Sequence, residues 1–170
     1  MSPVLRPAVR PVAVAGSFYP ADADELAAVV DTLLERARLR ASGGAVTPAP
    51  VALVAPHAGY VYSGPVAAWA YDWLRDRPIR RVAVLGPAHS VPLTGIAVPA
   101  VAAFATPIGE VPVEVHTCAV LAERQECVTV DDRPHRPEHS VEVRVGDHDV
   151  QRWAFRYLEA LASAPERPRW

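Results

Sequence analysis

Val51-Ala-Leu-Val-Ala-Pro-His57 and Arg81-Val-Ala-Val-Leu-Gly-Pro-Ala-His89 are the two stretches on which the fold of this chain turns. Val51 to Ala55 is wholly apolar and bounded by proline on both sides, the pattern of a strand buried on both faces. Arg81 to Leu85 reads as a second such strand. Between them, Ser63-Gly-Pro65 opens a helix with proline at its first position, and Val66, Trp69, Ala70 and Trp73 supply a packed face up to Pro78. Strand, helix, strand is a βαβ unit, whose right-handed crossover sets two parallel strands with their C-terminal ends at one edge. Open α/β folds build ligand sites at that edge. His57 and His89, each just past a strand end, are therefore expected to be neighbours.

Outward from this unit the chain continues in the same style. Asp22, with Glu25 three residues on, opens a helix in the manner of a capping box, and Leu26, Val29, Val30, Leu33, Leu34 and Ala37 follow at helical spacing. Residues 41–50 form the loop that ends it. Gly95 to Val98 and Val111 to Val115 read as strands separated by a turn at Thr106-Pro-Ile-Gly109, with no helix between them, which predicts an antiparallel excursion in a mixed sheet. A short helix near Cys118 to Glu126, a strand at Val128 to Val130 and a polar loop from Asp131 to His139 complete this α/β pattern. Near the end, Asp149 caps a helix carrying Trp153, Ala154, Tyr157, Leu158 and Leu161.

Composition narrows the partners. With 170 residues, one domain with a sizeable core is expected. Seventeen basic residues, all arginine, against 19 acidic ones leave a formal charge of −2, which argues against a surface that tracks nucleic-acid phosphates. The start of the chain, broken by Pro3, Arg6 and Pro7, is no signal-peptide core, and no run has the length of a membrane span. Cys118 and Cys127 have neither zinc spacing nor cysteine neighbours, so they read as ordinary thiols and the compartment as the cytoplasm.

Two imidazoles plus a carboxylate or thiolate, with open positions, make a catalytic site for iron, zinc or copper. His57 and His89 suit that role, and equally suit loop histidines satisfied by backbone groups. Around His57, Gly59 and Gly64 let backbone approach a ligand, while Tyr60 and Tyr62 offer phenols to a pocket or simply cap the core. His139 is either a general acid/base or the cap of the next helix, and His135, four residues earlier, is a further pocket candidate.

Five motifs occur in order: Gly16-Ser-Phe-Tyr-Pro20, Ala55-Pro-His-Ala-Gly-Tyr-Val-Tyr-Ser-Gly64, Leu85-Gly-Pro-Ala-His89, Ala105-Thr-Pro-Ile-Gly109 and His135-Arg-Pro-Glu-His-Ser-Val-Glu-Val143. Together they resemble the Memo family, including the bacterial Memo-like proteins called AmmeMemoRadiSam system protein B. The resemblance implies a three-layer α/β/α fold similar to class III, LigB-type extradiol dioxygenases, which are non-haem iron enzymes. It implies His57 and His89 as metal ligands, Fe(II) as the metal, His139 as the acid/base, and proteins of the same system as partners. The family's third ligand comes from a later segment that nothing here matches, because the chain departs from the pattern after Val143. The expected organisation is thus a Memo-like domain over 1–143, incomplete at its C-terminus, and a divergent tail over 144–170. That tail, ending Pro165-Glu-Arg-Pro-Arg-Trp170, is composed as a frameshift or deletion would leave it, and equally as a selected variant; Asp147 and His148 are its substitute ligands in principle. Three functions follow: a metal-dependent redox or oxygenase-like protein, a non-enzymatic interaction module anchored by Trp69 and Trp73, or an inactive truncated product.

Overall fold

A computed structural model describes residues 8–41, 50–75, 77 and 81–145. In chain order the elements are β1 (Val9–Arg10), α1 (Ala23–Ala41), α2 (Tyr60–Asp72), β2 (Ile96–Val98), β3 (Ala103–Thr106), β4 (Gly109–Pro112), α3 (Val115–Arg124), β5 (Val128–Val130) and the single turn α4 (Glu142–Val145). The protein is α/β with a mixed sheet: β3 pairs parallel with β1 and antiparallel with β4, closing a hairpin through Thr106 and Gly109. β2 pairs parallel with β5 as a second, two-stranded sheet, and α3 lies in the connection between them.

α1 forms where the sequence signals it, whereas α3, at Val115–Arg124, begins before the expected Cys118. Asp22 Oδ1 accepts the backbone N–H groups of Asp24 and Glu25 at 3.0 and 2.9 Å, satisfying two orphan donors at the start of α1. Leu26, Val30, Leu34 and Ala37 then line one buried stripe, which joins Tyr19, Ala68 of α2 and Val143 of α4 in the core. α2 starts earlier than expected, at Tyr60 with Gly59 as its N-cap, so Pro65 lies inside it. Gly64 lets α2 close on α1, since a Cβ there would come within 2.7 Å of Leu33 Cδ1. At Gly59 the approach is looser: a Cβ there would meet the Phe18 carbonyl oxygen at 3.3 Å. These two glycines thus serve helix and loop packing, where the sequence suggested an approach to ligand.

The two apolar runs depart furthest from expectation. Val51 to Ala55 and Arg81 to Leu85 join neither sheet, and Val51, Val54 and Leu85 are 106, 97 and 72% exposed. A strand is made by its neighbours' hydrogen bonds, and no described strand flanks these runs. The sheet around β3 also differs: the anticipated strand over Val111 to Val115 ends at Pro112, Val115 begins α3, and its partner is β3, not the Gly95 segment. Gly95 itself, at φ +83°, packs against the Cys127 carbonyl, where a Cβ would fall at 2.3 Å. The helix expected after Asp149 lies outside the described residues. Among the described residues no helix is long and apolar enough to cross a membrane.

Candidate metal centre

Although their runs form no ladder, His57 and His89 do meet, with ring centroids 5.3 Å apart. His139 completes a triangle, 5.7 Å from His57 and stacked on His89 at 4.5 Å. One ring nitrogen from each lies within 4.8 Å of the others, an arrangement that can hold a metal ion. Metal–nitrogen bonds of about 2.1 Å place tetrahedral ligands roughly 3.4 Å apart, so the rings need close by at most about 1.4 Å.

Each histidine is held by hydrogen bonds that arrive from the 135–144 segment. Glu138, buried, accepts from His89 twice: Oε1 from ring Nδ1 at 2.8 Å and Oε2 from the backbone N–H at 2.6 Å. Oε1 also accepts the backbone N–H groups of His139 and Ser140 and lies 3.3 Å from His139 Nδ1. Burial pushes the Glu138 carboxyl up, but the bonds from His89 and Ser140 outweigh it and hold the pKa at about 2. The ionised carboxylate can only accept, so the Nδ1 it faces is the ring nitrogen that donates, and Nε2 is the nitrogen turned to other use. A carboxylate behind a histidine in this way is the usual support of a metal ligand. Ser140 Oγ donates to the Pro87 carbonyl at 2.9 Å, tying the His89 loop to the same segment. Gly86 is required there, since a Cβ would sit 2.4 Å from Ser140 Oγ.

Arg144 steadies the ends of both apolar runs. Its Nη1 donates to the Leu85 carbonyl at 2.6 Å and its Nη2 to the Ala55 carbonyl at 2.5 Å; Nη2 also lies 3.5 Å from His57 Nδ1. Burial, then the Arg144 charge, lowers the His57 pKa, so this ring is neutral at pH 7 and able to ligate. Phe18 packs on the His139 ring at 4.7 Å, which gives the Gly16 to Pro20 motif its place at the site.

A second buried carboxylate, Glu142, anchors the assembly from behind. It pairs with Arg10, accepts the Tyr19 hydroxyl at 2.5 Å, and takes the backbone N–H groups of Ala13 and Val14 at 2.8 and 2.9 Å. Arg10 also donates to the carbonyls of His135 and Glu138 at 2.7 and 2.5 Å. Of the remaining pocket candidates, His135 stands apart from the triangle. Its Nε2 meets the Ala97 carbonyl at 3.2 Å and its ring packs on Phe104. Tyr60 donates its hydroxyl to the Val143 carbonyl at 3.0 Å, and Tyr62 is 84% exposed on α2. Glu138, Glu142, Arg10 and Arg144 were not singled out from sequence. The available signal was local: glutamates set between proline, histidine and valine where a solvated surface would carry more polar neighbours.

The fold and site together define an α/β protein with a three-histidine cluster backed by a buried carboxylate. Residues 10–146 match the family described as Memo-like protein. The chain belongs to the Memo family. It is 37% identical over 142 residues to a MEMO1 family protein of Ignicoccus hospitalis, covering 81% of this chain and 50% of the relative. Against a MEMO1 family protein of Methanocaldococcus jannaschii the identity is 36% over 147 residues, with 81% and 50% covered. For one from Thermotoga maritima it is 33% over 142 residues, with 80% and 51% covered. The chain thus spans about half the length of the curated relatives it matches.

Proposed function

We propose that this protein holds a mononuclear non-haem metal, Fe(II), through His57 and His89, on a scaffold similar to the class III extradiol dioxygenases, and that it supports redox or oxygenase-like chemistry. The observation that carries this reading is the convergence of three imidazoles from three separate segments, with Glu138 setting the tautomer of one of them. Nitrogen ligands with open positions suit ferrous iron. When bound, such an ion supplies a Lewis-acidic and redox-active centre. The chain's own residues do the rest: Glu138 keeps His89 Nε2 available, burial and Arg144 keep His57 unprotonated, and His139, 21% exposed at its side chain, is the group able to carry a proton to or from a bound molecule or to close the site as a third nitrogen ligand. Two free thiols suit the cytoplasm as its compartment. Anaerobic titration with Fe(II) is expected to give one site per chain, abolished by His57→Ala. Undiminished stoichiometric binding in that variant contradicts the reading.

A second reading is favoured by one surface. Val61, Tyr62, Val66 and Trp69 along α2 and Trp73 at its C-cap are all exposed, and aromatic anchors of this kind commonly carry protein interfaces. On this reading the chain is an interaction module for proteins of the AmmeMemoRadiSam system. Binding to such a partner should then survive both chelator and His57→Ala, and weaken on Trp69→Ala.

A further inference from the structure

Arg144 sits where three lone pairs converge: the Ala55 carbonyl, the Leu85 carbonyl and His57 Nδ1. A guanidinium can only donate. Its contact with His57 is therefore favourable only when Nδ1 carries the lone pair, which puts the neutral ring's proton on Nε2. A metal needs a lone pair from the same ring. If it takes Nδ1, it replaces the guanidinium N–H. If it takes Nε2, the ring proton moves to Nδ1 and points an N–H at a donor that has no lone pair to accept it. Both modes of ligation exclude the Arg144 contact.

The seat of the guanidinium is also incompletely satisfied. Arg144 Nε is buried without a hydrogen-bond partner, and a buried donor left unpaired carries a desolvation penalty that moving the side chain to water removes. Arg144 is thus placed to occupy the metal-free site and to leave it. We infer that Arg144 is an internal competitor for His57, a resident cation that a divalent metal must displace to bind. This inference rests on the proposed metal site and adds to it the residue that sets its affinity. Arg144 is here a positioning residue, acting on the metal through His57 and through its own fixed charge.

The test is titration with Co(II), followed by its visible absorption band, on the full chain and on Arg144→Met, Arg144→Gln and Arg144→Lys, each checked for folding by circular dichroism. Loss of the charge in the Met and Gln variants is expected to tighten Co(II) binding by about tenfold, with the Lys variant staying near the parent. Gln retains an amide donor for one carbonyl, so it separates the charge from the tie between Ala55 and Leu85 and carries the comparison if the Met variant does not fold. Unchanged or weaker binding in the charge-free variants overturns the inference, because it makes Arg144 only a tie that holds the site together. His57→Ala distinguishes the two levels: if it binds Co(II) as tightly as the parent does, the metal site itself is wrong. Absence of Co(II) binding in the parent and in every variant overturns both.

Discussion

The segment around Glu142 and the runs leading to His57 and His89 meet at one site yet are built in opposite ways. Glu142 and Arg10 are 2 and 3% exposed, and their charges are answered by each other, by Tyr19, by the backbone N–H groups of Ala13 and Val14, and by the carbonyls of His135 and Glu138. Val51 and Val54, by contrast, stand in solvent despite being among the most apolar stretches of the sequence. The difference teaches that the site does not depend on the two runs being strands. His57 and His89 are positioned by bonds delivered to the run ends from Glu138, Ser140 and Arg144, so the geometry of the site travels with the 135–144 segment.

The largest blow to this contrast would come from the clamp. Glu142→Ala leaves Arg10 charged and buried without its carboxylate, a loss of about 3–5 kcal/mol, measured as a lowered urea midpoint at unchanged slope. A loss under about 1 kcal/mol would show that the clamp is no better built than the runs. Acid comes next. Because the Glu138 pKa is depressed from 4.5 to about 2, the stability it contributes is present above about pH 4.5 and disappears as pH falls through about 2. That component is on the order of 3 kcal/mol, and urea midpoints across this range should fall more steeply for the parent than for Glu138→Gln; parallel curves would refute it. The smallest effect belongs to the runs: Val54→Ser should change stability by no more than about 0.5 kcal/mol. A loss of several times that would mean the run is covered in solution, and the contrast between the two regions would narrow.

Much of the site was legible in the sequence because its signals are short-range. Asp22 and Glu25 announce α1, and the histidines came to notice through the expected βαβ unit and through motifs that resemble the Memo family. Less of the fold was legible. The Val51 and Arg81 runs were read as strands from apolarity, but a ladder is a property of neighbours, and periodicity carries no information about who they are. β1, only two residues long, is held by pairing with β3 nearly a hundred residues later and leaves no local pattern. Arg144 and Glu142 also act across large separations, the first through two carbonyls and an imidazole, the second through a guanidinium, a phenol and backbone N–H groups, and no spacing rule records these partners. The glycines near His57 carried a true signal of close approach and a misleading one about what approaches.

The Arg10 to Glu142 pair spans 132 residues of chain, and this separation governs when the domain can form. Closing so long a loop costs entropy before any contact repays it. During synthesis, the Val9 to Tyr19 segment has no carboxylate to receive its N–H groups until residue 142 has left the ribosome, even though α1 can already wind by then. Among the described residues, the part with the best-matched charges is therefore the last to become available, and folding of the Val9 to Tyr19 segment waits on nearly all of them.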